Sequence, residues 1–298
     1  MNIAIIGARG CIGRALIETL IDTTDHSIIA SYRRQEKTGM PCARVTWKRV
    51  NLYDNLGTEE FLEGADVLVY LAHSLATKKF KEMDREFSER AGTFAKKAGI
   101  KKIVYLGGIV PNGEILSDHL ESRKETGEEL AAQGVPVAEV RASIILAPCS
   151  ASYQMLYWLA RRLPMVVMPK WGETTCAPIA LEDAVDAIAA VIDRDIQGHE
   201  IFEIGSEIMQ YGELLQRNGK IVRGKENRIY TMAWFPVSLV AWPISMITGV
   251  SRHIVAVLLG SLQNDSAYTA NRFFELVGRE PRPVDAALRD LAKEMEQW

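Results

Sequence analysis

The chain has 298 residues, of which 48% are hydrophobic and 24% are charged, as in globular proteins that bury a large core. Its formal net charge of -3 argues against a general, charge-driven affinity for nucleic acid or for anionic membranes. The four cysteines show no paired spacing, and a disulfide at Cys11 would obstruct the phosphate turn described next, so we expect reduced thiols, no metal site and a cytoplasmic location.

The N-terminal stretch predicts a dinucleotide-binding turn. An apolar run at 3–6 is typical of a strand buried on both faces, and an amphipathic helix is expected over 11–21. The glycines between them let the backbone approach a pyrophosphate and let the helix pack close to the strand. The expected cofactor contacts in this turn are Gly7, Arg9, Gly10, Cys11, Ile12 and Gly13.

Strands and helices then alternate along the chain. Further strands are expected at 27–32, 45–50, 66–72, 102–106 and 135–141, and helices at 58–64, 78–98 and 118–133. This alternation predicts an α/β fold, a doubly wound parallel sheet with helices on both faces.

The later chain is less regular and suggests a smaller, helix-rich C-terminal region on the substrate side. Helices are expected at 152–162, 181–192, 211–222 and 283–297, and extended segments at 174–180 and 200–204. We therefore divide the chain into a nucleotide-binding core at 1–150, a mixed region at 151–223 that partly completes the sheet, and an apolar region at 224–298. No clean linker separates them.

An uncharged, apolar segment spans 229–251 and is long enough to cross a bilayer. Pro236 and Pro243 interrupt it, which favours a pair of buried or pocket-forming helices. Contact with a membrane is the alternative.

The end of the second predicted strand indicates which nucleotide binds. An Asp or Glu there would bond both ribose hydroxyls and repel a 2′-phosphate. The chain has Arg33 and Arg34 at that point, and guanidinium groups bind phosphate with charge-assisted bonds. We therefore expect NADP(H), the alternative being that these arginines are a solvated strand end. The remaining cleft residues are expected to be Asn51, Leu52, Leu71, Ala72 and His73.

Several motifs resemble the extended and atypical short-chain dehydrogenase/reductases, which have the Rossmann fold, and within them the NmrA-like and YbjT-like groups, the latter described as predicted nucleoside-diphosphate-sugar epimerases. The superfamily resemblance covers about residues 1–215 and the YbjT-like one extends further. It rests on the glycine turn, the strand-end arginines and the stretches at 51–54, 71–74, 105–108, 119–123, 178–184, 202–206 and 262–265.

One departure from this family concerns catalysis. Members with oxidoreductase chemistry carry a Ser or Thr after the fifth strand and a Tyr-x-x-x-Lys on the next helix. Here those positions resemble Gly107 or Gly108, and His119-x-x-x-Arg123. His119 could act as general acid and Arg123 could bond the ribose, or both could merely position the cofactor or cap a loop.

Three functions remain open from the sequence. The first is an NADP(H)-dependent oxidoreductase acting on an unidentified small apolar carbonyl compound. The others are a non-catalytic NADP(H) sensor, as in the NmrA-like branch, and a nucleotide-sugar epimerase. The chain could act as a monomer or a homodimer. Packing is the expected role of Tyr153, Tyr157, Trp158, Trp171, Trp234 and Trp242, with substrate contact as the alternative.

Overall fold

A computed structural model describes residues 1–33, 42–232 and 237–297 of the chain. The strands are β1 (Asn2–Ile6), β2 (Ser27–Tyr32), β3 (Val45–Arg49), β4 (Val67–Tyr70), β5 (Lys102–Gly108), β6 (Val137–Ala142), β7 (Ile145–Leu146), β8 (Met165–Pro169), β9 (Thr175–Cys176), β10 (Ile179–Ala180), β11 (His199–Ile204), β12 (Met209–Gln210) and β13 (Arg228–Met232). The helices are α1 (Cys11–Thr23), α2 (Thr58–Leu62), α3 (Phe80–Lys97), α4 (Asp118–Ala132), α5 (Ala151–Arg162), α6 (Leu181–Ile192), α7 (Tyr211–Arg223), α8 (Val237–Thr248), α9 (Arg252–Ser261), α10 (Phe273–Val277) and α11 (Val284–Met295).

The central sheet has seven strands in the order β11-β6-β5-β4-β1-β2-β3, and every neighbouring pair is parallel. The chain runs outward from β1 through β2 to β3 and then returns to β4 on the other side of β1. The crevice between the carboxyl ends of β1 and β4 is therefore the topological switch point, where open α/β sheets bind their ligands. The predicted doubly wound parallel sheet is confirmed.

Side chains of β1 show why its apolar run is continuous. Ile3 and Ile5 pack on one face of the sheet in a core shared with α1 and α6. Ala4 and Ile6 pack on the other face in a core shared with α2, α3 and α4. Because successive strand residues point to opposite faces, a strand with helices on both sides needs apolar residues at every position.

Four strands lie where no strand was predicted, namely β7, β8, β12 and β13. Of these, β8 and β13 form a separate parallel pair in which Val167 lies opposite Tyr230. The apolar segment at 229–251, expected to be a pair of helices, therefore begins as a strand and becomes helical only at α8. A local pattern could not show this, because the partner strand lies about sixty positions earlier in the chain.

The helices of the apolar segment turn sharply. Within the ranges that the structure describes, no single helix is long and apolar enough to span a membrane, and the pair formed by Val240–Thr248 and Arg252–Ser261 is bent by 116°. These helices pack on α5 around Ala241, Ile244 and Val255. A further core joins α5, α7 and α11, so the regions after residue 150 interlock by packing.

Candidate nucleotide and substrate site

The turn between β1 and α1 has the geometry that a dinucleotide requires. Gly7 adopts a φ of +88°, which L side chains rarely reach. A Cβ on Gly13 would lie 2.4 Å from the carbonyl oxygen of Gly7, so this position also demands glycine. The amide of Gly10 donates to the Gly7 carbonyl over 2.9 Å, and the Ser31 hydroxyl accepts from the Gly7 amide over 3.0 Å.

A cleft of about 640 Å³ opens beside this turn, at the carboxyl ends of β1, β2 and β4. The structure places nine of the predicted cofactor residues in its lining: Gly7, Arg9, Gly10, Arg33, Asn51, Leu52, Leu71, Ala72 and His73. Cys11, Ile12, Gly13 and Arg123 are outside that lining. Arg34 lies outside the described residues.

The cleft wall also contains residues that the sequence did not single out. Arg14 lies one helical turn after Gly10, a spacing that could have revealed it. The Arg33 guanidinium stacks over the ring of Tyr53, 5.9 Å from its centroid. Among the described residues that line the cleft, none is Asp or Glu. The lining therefore lacks the acid that would repel a 2′-phosphate, and its arginines fit a phosphorylated dinucleotide.

The expectation of reduced thiols at the turn is wrong in this structure. Cys11, the first residue of α1, forms a disulfide with Cys149, and their Cα atoms are 5.8 Å apart. Sequence spacing could not show this, because parallel strands bring remote loops to the same edge of the sheet. Cys42 and Cys176 are free.

A buried ion pair supports the adjacent wall. Arg123 Nη2 donates to Asp84 Oδ2 over 2.5 Å. The same carboxylate accepts from the Ser122 hydroxyl and from the Ser74 amide, and the Tyr105 hydroxyl donates to the Arg123 carbonyl over 3.0 Å. Arg123, which was expected to bond the ribose, is thus buried where its own helix, α4, packs against α3 and β5. Asp84 lies among the buried residues of α3, and an acid on the apolar face of a helix is the sequence signal that could have indicated this ion pair.

His119 is held in its neutral form. Burial, together with the charge of Arg123 and the proximity of His73, lowers the pKa of His119 to about 3. His119 Nδ1 lies 2.9 Å from the Ser261 hydroxyl, which can also donate to the Val257 carbonyl. The general-acid role suggested for His119 would need a protonated imidazole near neutral pH, and desolvation disfavours that form.

His73 lines the nucleotide cleft. The residue is exposed to solvent, although protein atoms surround it on several sides. Desolvation, followed by the charge of Arg123, lowers the pKa of His73. Burial raises the pKa of five tyrosines, Tyr70, Tyr105, Tyr153, Tyr157 and Tyr211, which disfavours the phenolate form of these five.

A second cavity lies beyond the cleft and is largely apolar. It holds about 210 Å³, and Gly108 and His119 form part of its wall with side chains of β8, α5, α7, α8 and α9. Among its polar groups, the hydroxyls of Ser143, Ser266 and Tyr211 bond to one another. Tyr153 and Tyr157 are buried in packing and lie outside this lining. Trp234 is outside the described residues.

Asn264 fixes the segment that leads into α4. Its Oδ1 accepts from the Ser117 amide, and its Nδ2 donates to the Glu114 carboxylate and to the Ile115 carbonyl, each bond being 2.9 Å long. Asn264 is buried. Because His119 is the second residue of α4, this contact sets where the imidazole lies in the cavity wall.

Comparison with known proteins supports the nucleotide binding that this geometry indicates. Residues 7–143 match the family model described as NAD(P)H-binding. The chain carries an NAD(P)H-binding domain. The predicted binding of NAD(P)(H) is confirmed. No curated protein matches the sequence.

Solved structures resemble the NAD(P)H-binding chain over almost its whole length. A triphenylmethane reductase from Citrobacter sp., complexed with NADP(H), is 16% identical with a TM-score of 0.79, covering 97% of this chain and 99% of its own. An NADPH-dependent quinone oxidoreductase from Escherichia coli, complexed with NADPH, is 20% identical with a TM-score of 0.77 and the same coverage. A nucleoside-diphosphate-sugar epimerase from Staphylococcus aureus is 17% identical with a TM-score of 0.78, covering 97% of this chain and 100% of its own. At these identities the likeness establishes the fold alone.

Proposed function

We propose that this protein is an NADP(H)-dependent oxidoreductase that acts on a small, apolar carbonyl-type compound such as a ketone, an enone or a quinone. One observation carries the proposal. His119 lies in the wall of an apolar cavity, beside Gly108 at the carboxyl end of β5. Apolar cavities with a few polar groups favour apolar ligands, which argues against a charged nucleotide sugar and hence against an epimerase.

Arg33 supports the choice of NADP(H) over NAD(H). Its guanidinium lines the cleft beside Tyr53, and the described residues of the lining include no carboxylate to bond a free 2′-hydroxyl. The quinone and triphenylmethane reductases that share the fold are described with NADPH or NADP(H), which adds support at the level of analogy.

The bound nucleotide would supply or accept a hydride, and solvent water would supply or accept the proton on the substrate oxygen. His119 would orient the substrate, because neutral imidazole is a hydrogen-bond donor at one ring nitrogen. When the Ser261 hydroxyl donates to Nδ1, the ring proton remains on Nε2, where it can bond a carbonyl oxygen of the substrate. The Asp84–Arg123 pair would hold α4 in place without touching the reactants.

Turnover of NADPH with a panel of ketones, enones and quinones tests the proposal. We expect oxidation of NADPH with at least one class. His119→Phe should lower turnover by about 10²–10³, because it removes a hydrogen-bond donor to the developing oxyanion, and should leave NADPH affinity unchanged. Ser261→Ala removes the partner of His119 and is the companion variant. Its turnover should fall by a smaller factor.

A non-catalytic sensor is the second candidate, and the state of His119 favours it. A histidine with a pKa of about 3 is uncharged at neutral pH and is a poor proton donor to a developing alkoxide. Tight NADPH binding without turnover on any compound would support the sensor. A cytoplasmic location fits either function if the Cys11–Cys149 bond forms transiently, as cytosolic disulfides generally do.

A further inference from the structure

Among the residues that the structure describes, six large apolar side chains are exposed around the second cavity. Met165 and Val167 lie on β8, Tyr230 and Met232 on β13, and Trp242 and Met246 on α8. We call these six residues the apolar rim. Trp242 is 59% exposed and Met246 is 69% exposed, and exposed apolar side chains grouped in one patch mark interaction sites.

The apolar rim borders the cavity directly. In β8, Val166 and Met168 are buried while Met165 and Val167 are exposed, as the alternation of a strand leads one to expect, and Val167 also lines the cavity. In α8, Val240 and Ile244 line the cavity. The exposed residues Trp242 and Met246 are four apart and share the other face of that helix.

The chain segments that build the apolar rim carry positive charges only. Residues 142–172 and 227–264 contain no Asp or Glu, although the chain as a whole has 38 acidic residues against 35 Lys and Arg. The cations of these stretches are Arg161, Arg162, Lys170, Arg228 and Arg252. These two stretches are therefore net positive, opposite in sign to the whole chain, and Glu173, Glu226 and Asp265 flank them.

Two of these arginines lie next to residues of the apolar rim. Arg162 stacks over Trp158, 4.2 Å from the ring centroid, and donates to the Ile247 carbonyl next to Met246. Arg228 lies opposite Met165 in the β8–β13 pair. Within the described ranges neither guanidinium is in an ion pair. Elsewhere on the surface, arginines such as Arg217 and Arg279 do pair with carboxylates.

We propose that the apolar rim docks on a lipid bilayer that carries anionic headgroups. Trp and Tyr are suited to the membrane–water interface, exposed methionine and valine enter the outer acyl layer, and arginines bind anionic headgroups. The cavity behind the rim then faces the phase in which apolar compounds concentrate. The docking does not depend on the proposed oxidoreductase function, because binding to lipid is measured without turnover.

Sedimentation of the full chain with vesicles tests this proposal. One vesicle preparation contains phosphatidylcholine alone and the other a phosphatidylcholine–phosphatidylglycerol mixture. We expect binding to the anionic vesicles that weakens as salt is added. The double variant Trp242→Gln/Met246→Gln should bind at least about tenfold more weakly, and Arg228→Gln about fivefold more weakly.

Matched variants keep the test specific. Phe274→Gln alters a side chain that is 57% exposed on α10, outside the rim, and Arg289→Gln alters an exposed arginine on α11. Both should bind vesicles like the unaltered chain, and all variants should show the unaltered thermal unfolding. The proposal is overturned if the unaltered chain binds neither vesicle, or if the rim and control variants bind equally. It is also overturned if light scattering shows a dimer that only the Trp242→Gln/Met246→Gln variant dissociates, which would assign the rim to a second copy of the chain.

Discussion

Cys11 and Cys149 are 138 positions apart in the sequence, yet their Cα atoms lie 5.8 Å apart and their sulfurs are bonded. Cys11 begins the helix whose N-terminus would receive the pyrophosphate, and Cys149 lies in the loop before α5. The bond therefore ties the phosphate turn to the loop that leads into the substrate side.

The first prediction concerns nucleotide binding. A dinucleotide must cross the phosphate turn to reach both the cleft and the cavity, so we expect the disulfide to hinder it. Reduction should strengthen NADPH binding measured by calorimetry, and Cys149→Ser should bind like the reduced protein whether or not reductant is present. Cys42→Ser is the control and should still respond to reductant. Equal affinities for oxidised and reduced protein would contradict the prediction.

The second prediction concerns stability. Closing a loop of this length restricts the unfolded chain and contributes up to about 5 kcal/mol in the chain-entropy model. Cys11→Ser should therefore lower the free energy of unfolding measured in urea by up to that amount. Reductant should lower the stability of the unaltered chain similarly and leave that of Cys11→Ser unchanged.

The third prediction concerns the preference for NADP(H). Arg33→Ala should weaken NADPH binding by about tenfold to a hundredfold, the value of one charge-assisted hydrogen bond, and should change NADH binding little. Arg49→Ala is the matched control, because Arg49 is an exposed arginine on β3 that lies outside the cleft lining. Equal losses for both nucleotides in Arg33→Ala would remove Arg33 from the phosphate site.

The fourth prediction concerns the buried pair of Asp84 and Arg123, whose side chains are 2% and 10% exposed. Asp84→Asn leaves a buried guanidinium without a counter-charge and should cost about 3–5 kcal/mol of unfolding free energy. Breaking the exposed Lys97–Glu59 pair with Glu59→Gln should cost less than about 1 kcal/mol. Urea unfolding of the two variants and of the unaltered chain measures both losses of unfolding free energy, and equal losses would contradict the prediction.

The fifth prediction concerns pH. The pKa of His119 is lowered from an ordinary value of 6.5 to about 3, so between these values the unfolded chain binds a proton that the folded chain does not. The stability from neutral His119 is fully present above about pH 6.5 and is lost as the pH falls toward 3. His119→Phe should therefore reduce the slope of stability against pH in this window. His73, whose pKa is also lowered, maintains part of the slope.

The sequence predicted the sheet well because its signals are local. The apolar run of β1 and the glycines after it determine strand, turn and helix within a dozen residues, and α6 begins and ends where its pattern indicates. The nucleotide cleft could be predicted for a related reason, because parallel strands present their carboxyl ends at one edge of the sheet. Nine of its predicted residues line it.

The features that the sequence did not reveal depend on remote contacts. Cys149 reaches Cys11, β13 pairs with β8, and Ser261 meets His119 only after the chain has folded. The neutral state of His119 is likewise a property of its surroundings, because the residue type alone suggests a group that titrates near pH 6.5. Pattern and propensity carry no information about burial by distant segments.

The two openings draw on separate parts of the chain. Each residue that lines the nucleotide cleft lies at or before position 87, and each that lines the apolar cavity lies at or after position 108. Substitutions after position 108 can therefore alter which ligand the apolar cavity binds without altering the lining of the nucleotide cleft. Chimeric chains whose two parts are joined within α3 should exchange the ligand selectivity of the cavity without changing the nucleotide selectivity of the cleft.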